Sequence, residues 1–167
     1  MKKKILHVVV FTNLPAGVRN QMAAEQQAAR ELGLAWDVVS WSADRPSTPF
    51  MKQFPKTVKS LASRRFFFMR WLRKQRTSYD LIILRSPVGD PFAFWMMRGL
   101  KPFVTVHHTK ELAEIPYVRS GWQGQIAFMI ERFAGQMLLS KANAIVGVTG
   151  EICNYELQRV RNKPLSY

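Results

Sequence analysis

Three segments run from an apolar strand pattern directly into a polar helix start: ILHVVVFTNLPAGVRN, PFVTVHHTKELAE and ANAIVGVTGEICNYE. In an open parallel sheet such junctions emerge together at the carboxyl edge of the strands. Ligands bind at that edge, in the crevice where the strand order reverses. The pattern therefore predicts that Gly17, the pair His107-His108 and the turn Thr149-Gly150-Glu151 lie near one cleft, although far apart in the chain.

The periodicity between these junctions completes the pattern. Residues 5–11 form a continuous β-branched and apolar run, as in a strand buried on both faces. A turn over 13–19 leads into a helix over 21–32, with Gly33 as its stop. Further strands are predicted at 36–41, 80–84, 103–106 and 144–148. Helices are predicted at 56–76, 92–98, 109–115 (interrupted by Pro116), 123–140 and 151–160. Such alternation implies an α/β chain: a Rossmann-like, doubly wound, mainly parallel sheet of six or seven strands flanked by helices. With 167 residues and no internal repeat, residues 1–160 read as one domain.

The one abnormal bulk number is a net charge of +14, which implies an anionic partner. The longest apolar runs are far too short to span a bilayer. Lys2-Lys3-Lys4 before an apolar run resembles a signal-peptide start, but Thr12, Asn13 and Pro15 follow at once and no small-residue cleavage site does. A single cysteine, Cys153, excludes an intrachain disulfide and a Cys-rich zinc site, which fits a reducing cytoplasm.

The turn Asn13-Leu14-Pro15-Ala16-Gly17-Val18-Arg19 holds one glycine, where a dinucleotide fingerprint needs three, and there is no Walker A lysine. No cofactor is therefore expected. Gly17 either lets backbone N–H groups face an anion at the helix start or only makes the turn. In His107-His108-Thr109-Lys110-Glu111, a histidine at the strand end can donate to a substrate or exchange protons with it. The competing structural reading has one histidine capping the helix and the other packed, with Glu111 favouring the helix dipole. His107 and Glu111 are four apart and could share a metal, but no third ligand is evident and no metal is expected. His7, inside the first strand, reads as a core histidine. Thr149 suits the N-cap position.

No acidic residue lies between Asp44 and Asp80, while Arg64, Arg65, Arg70, Arg73 and Lys74 alternate there with Phe66, Phe67, Phe68, Met69 and Trp71. A basic helix with clustered aromatics can lie in the headgroup region of an anionic membrane. Alternatively it packs Val58, Leu61, Phe68 and Leu72 on the sheet and solvates its cations. Phe66 to Met69 cannot all face one core, so part of that apolar surface needs another home. Nucleic acid is not expected as partner, because no DNA- or RNA-binding signature accompanies the charge.

The order and spacing of these pieces resemble the N-terminal domain of a GT-B glycosyltransferase of family 4, the large retaining group. The resemblance rests on Met1-to-Val10 with the Gly17 turn, on Tyr79-Asp80-Leu81-Ile82-Ile83-Leu84-Arg85 and on the His107 strand end. Its most specific piece runs from Ala142 to Glu151, followed by Asn162-Lys163-Pro164. It implies an acceptor-side domain over 1–160, the start of an interdomain linker over 161–167, and a donor-binding domain outside this chain. It implies transfer of a sugar from a nucleotide-sugar donor to a glycan or glycolipid acceptor, by an enzyme inactive without its second domain. His107 matches the histidine beside the reacting sugar, and His108 stands where an acidic residue is common. Gly17 matches the second glycine of a Gly-Gly turn near the donor phosphates, with Ala16 in place of the first. Arg19, Arg85, His108, Lys110, Glu111 and Thr149 would border the substrates. Arg64, Arg65, Phe67, Arg70, Trp71, Arg73 and Lys74 would contact the membrane, giving a cytoplasmic protein held peripherally on the inner face of the cell membrane. The alternative is a stand-alone basic module on the same scaffold, binding anionic lipid or nucleic acid.

Overall fold

The computed structural model describes residues 3–10, 16–40, 51–53, 61–100, 102–160 and 165–166. Their contacts divide the chain into two compact units, Met1–Leu84 and Arg85–Tyr167.

The first unit is built on strands β1 (Lys4–Val9), β2 (Ala35–Ser40), β3 (Met51–Gln53) and β4 (Leu81–Arg85), whose last residue belongs to the second unit. Their order is β3-β2-β1-β4, so the chain leaves β1 toward one side and returns on the other. β1 pairs with β2 in parallel, Leu6 opposite Asp37 and Val8 opposite Val39, and β2 pairs with β3 in parallel. β1 is buried from Ile5 onward, as its unbroken apolar run requires. Helix α1 (Ala16–Glu31) lays Val18 and Met22 against Val9 and Val38, with Trp36 packed beside them. It ends at Gly33, whose φ of +70° is the left-handed conformation open to glycine.

Helix α2 (Leu61–Gln75) divides its aromatics between core and solvent. Phe68 and Leu72 are fully buried, while Phe66 and Phe67 remain about half exposed at 55% and 44%. Part of this apolar run is thus buried and part is exposed, as its length required. Val58 lies outside the described residues.

The second unit holds α3 (Pro91–Met97), β5 (Phe103–His107), α4 (Glu111–Val118), α5 (Gly121–Ile130), a π-helical turn (Glu131–Gly135), α6 (Gln136–Lys141), β6 (Ala144–Gly147), α7 (Gly150–Gln158) and β7 (Leu165–Ser166). β5, β6 and β7 pair in that order and in parallel, with Val106 opposite Val146 and Ile145 opposite Ser166. Leu139, Ile145, Cys153 and Val160 form a core beneath them. β7 falls in the stretch that reads as the start of a linker.

The fold class is therefore α/β, with parallel strands flanked by helices in the Rossmann-like manner. Two local expectations fail. α1 starts at Ala16, so Gly17 belongs to its first turn rather than to a preceding loop. Pro116 lies inside α4 and does not end it: the helix runs on to Val118, and the Arg119 N–H bonds the Ile115 carbonyl at 2.9 Å. Among the described residues no helix is long and apolar enough to cross a membrane.

Candidate functional site

β5 and β6 bring two of the three sequence junctions to one edge of the second unit. His107 lies opposite Gly147 in the ladder, and its carbonyl accepts from the Val148 N–H at 3.1 Å. Beyond this pair, Thr149 caps α7, accepting from the Ile152 N–H at 3.3 Å. Lys110 reaches across to Glu151 at 2.5 Å. That exposed pair holds the Glu151 carboxyl below its ordinary range. Gly17 and Arg19 occupy the first turn of α1 in the other unit, after the carboxyl end of β1; Gly17 is exposed, and a Cβ there would meet nothing within 4 Å among the described residues.

The two histidines take different roles, and neither caps α4. Lys110 holds the N-cap position without a side-chain bond. His108 is half-buried, and its Nε2 lies 2.5 Å from the Arg85 guanidinium, on a side chain with no exposure at the end of β4. Burial, the Arg85 charge and His107 together pull His108 down to about 4. It is a neutral acceptor at any pH near 7. Arg85 thus supports His108 from below and has no solvent-facing surface of its own.

His107 is buried, and its Nδ1 lies 2.7 Å from Glu111 Oε1. Burial disfavours its charged form, but the Glu111 carboxylate outweighs this, with help from Glu156, and raises the imidazole above its ordinary value. Because Glu111 accepts from Nδ1, the ring's second nitrogen is the one left for chemistry. That Nε2 is buried without a hydrogen-bond partner among the described residues. So is Oγ1 of Thr105, two residues earlier on the same face of β5.

Behind His107 lies a network that sequence reading did not anticipate. Glu111 faces Arg159 at 3.6 Å, and its backbone N–H donates to Glu156 Oε1 at 3.1 Å. Arg159 also bonds Glu156, Glu131 Oε1 at 2.7 Å and the Glu131 carbonyl at 3.0 Å. The other Glu131 oxygen accepts from the Gly89 N–H at 2.9 Å. Three buried carboxylates therefore surround one guanidinium. The imbalance shows in protonation. Burial and then the Glu111 charge raise the Glu156 carboxyl, against the pull of Arg159. Burial would lower Arg159, but Glu156 and Glu131 more than compensate and raise it.

The π turn makes this packing possible. A Cβ at Gly135 would lie 1.8 Å from Glu131 Oε1 and 3.1 Å from the Arg159 guanidinium, so only glycine leaves room for the pair. A wide turn carrying a buried carboxylate next to a bare backbone is a local departure from helix regularity of the kind found at functional sites.

His107, Glu111 and Glu156 present ligand atoms within 4.8 Å of one another and could hold a cation. Glu156 is the third group that His107 and Glu111 lacked in the sequence. Arg159, bonded to Glu156 and facing Glu111, is the cation this cluster already contains. The sequence carried no clear signal for the network: Glu131 and Glu156 lie in helical segments and Arg159 just after one, and buried acids are marked only once burial is known. On α2, Arg70, Arg73 and Lys74 are exposed while Arg65 and Trp71 are half-buried, and Trp71 stacks on Phe68 at 5.8 Å. The side chain of Arg64 lies outside the described residues.

Compared with known proteins, the chain matches no family model and no curated protein.

Proposed function

We propose that this chain is the acceptor-side half of a GT-B glycosyltransferase, moving a sugar from a nucleotide-sugar donor to a glycan or glycolipid acceptor at a membrane surface. The observation that carries the reading is the β5–β6 edge. There a histidine with a raised pKa, oriented through Nδ1 by Glu111, stands beside the neutral acceptor His108, with Lys110 and the Thr149 cap next to it. Nε2 has no partner among the described residues and so has a hydrogen bond to give a sugar hydroxyl as bonds to the anomeric carbon change; because it is buried, that contact requires the edge to open around it. Lys110 and the α7 N-terminus suit the anionic part of a donor. The donor itself would be held mainly by a second domain.

The reading is tested on the protein joined to its donor-binding domain, with labelled sugar nucleotides and membrane extract. His107→Ala should cut kcat by more than it raises the donor KM, because the proposed contact is to the reacting sugar. Unchanged turnover in a folded variant would return His107 to a packing role. The 167-residue chain alone should transfer no sugar, since the donor would not be held in register with the acceptor.

The membrane half of the proposal draws on α2. Its exposed Phe66, Phe67, Arg70, Arg73 and Lys74 suit an anionic lipid surface, each cation contributing about 1 kcal/mol near the headgroups. The same features support the second reading, a stand-alone module that binds anionic lipid. Transfer activity with the added domain separates the two.

A further inference from the structure

The strongest unassigned surface lies in the second unit, on the continuous run from α5 through the π turn to α6. Trp122, Ile126, Met129, Phe133 and Met137 are all exposed, from 48% at Met137 to 68% at Trp122. They are spaced four, three, four and four residues apart, four turns in fifteen residues. At 3.6 residues per turn these positions fall within about a quarter of the helix circumference, so the five side chains share one face. The wide turn at Glu131–Gly135 falls within the row.

The exposed charges of the run itself are of one sign. The only acid in the run is Glu131, which is buried on Arg159. Its charged residues at the surface are Arg132 and Lys141, and the other exposed polar groups are glutamine and serine. Beside the row opens a groove of about 630 Å³ between α4 and α5, walled by Ile115, Pro116, Phe128 and Met129 with Arg119 among its lining.

We infer that this face docks into the headgroup–acyl boundary of an anionic bilayer, the aromatic and methionine row entering the lipid and Arg119, Arg132 and Lys141 meeting the phosphates. Charge selects this occupant. A chain of net charge +14 repels a second copy of itself, whereas an anionic lipid surface attracts it. An exposed apolar row rimmed by cations, without an exposed acid, is the composition of an interfacial helix. The inference rests on the membrane-surface part of the proposed function and not on sugar transfer. It adds a second contact, distinct from α2 and apolar rather than mainly electrostatic.

The test is co-sedimentation of the chain with vesicles of phosphatidylglycerol and phosphatidylcholine, at low and high salt. Ile126→Ser, Met129→Ser and Phe133→Ser together should lower the partition coefficient by about tenfold or more, and the loss should persist in high salt. An unchanged thermal midpoint shows that the variant is folded. A site-specific reading covers the case in which it is not. Ile126→Cys carries an environment-sensitive fluorophore, since the native Cys153 is buried. Its emission should shift to the blue on anionic vesicles and be quenched by spin-labelled acyl chains. An unshifted probe, or equal partition of parent and triple variant, overturns the inference. So does a dimer of the parent chain that the triple variant dissolves, because the row would then be an interface between copies. Sugar transfer to a water-soluble acceptor reads the enzymatic proposal independently of all these outcomes.

Discussion

Helix α2 and the network around Arg159 use charge in opposite ways. α2 presents Arg70, Arg73 and Lys74 to water, beside two exposed phenylalanines. The second unit takes Glu111, Glu131, Glu156 and Arg159 out of water almost completely. Exposed cations contribute little singly and matter as a field that salt can screen. Buried ions are costly to strand, so each is fixed by several partners and the group behaves as one unit. The lesson is that charged side chains build an adjustable surface in one unit and a rigid support for a catalytic candidate in the other.

The largest expected effect breaks the buried side. Arg159→Met leaves three carboxylates without their cation and should cost about 3–5 kcal/mol in urea unfolding. A loss below about 1 kcal/mol would mean that the carboxylates had found protons or water at little expense. Gly135→Ala drives a Cβ into Glu131 and should cost about 1–3 kcal/mol, with the smaller loss if the Glu131 side chain can swing away from Arg159.

A third test uses pH. His108 is depressed to about 4 in the folded chain, against about 6.5 when unfolded. A depressed group contributes stability that is present above the unfolded value and lost as pH falls through the folded one. Stability should therefore fall between about pH 6.5 and pH 4. His108→Gln, which keeps an acceptor for Arg85 but cannot titrate, should flatten that part of the profile. His107 works in the other direction. Its raised value gives stability that is full below about pH 6.5 and lost as pH rises through the folded value. The smallest effect sharpens the exposed side. Arg70→Glu, Arg73→Glu and Lys74→Glu should each change stability by less than about 0.5 kcal/mol, yet together remove salt-sensitive binding to anionic vesicles.

The fold was legible because its strands are buried. The run at residues 5–10 admits no amphipathic alternative, and Gly33 and Thr149 carry end signals that act through the backbone alone. The β5–β6 edge was legible for the same reason: both junctions lie at strand ends, and parallel pairing brings strand ends together. The support behind His107 was not. Glu131 and Glu156 look like ordinary helix-surface acids, and only tertiary packing turns them inward toward Arg159. Gly135 gave no signal, since its role is room for a side chain rather than a turn. The apolar row on α5 and α6 was hidden too, because helical spacing alone does not tell a buried face from an exposed one, and only burial shows Trp122, Ile126, Met129 and Phe133 facing out.

The central claim is that Glu111 fixes and charges the His107 imidazole, leaving Nε2 as the working atom. It is tested most directly by NMR titration of the three histidine side chains in the parent chain and in Glu111→Gln. The account predicts that His107 titrates above 6.5, with its proton on Nδ1 when neutral, and that its value falls markedly in the variant while His108 stays near 4. A His107 that titrates at or below 6.5, with no response to Glu111→Gln, would contradict it.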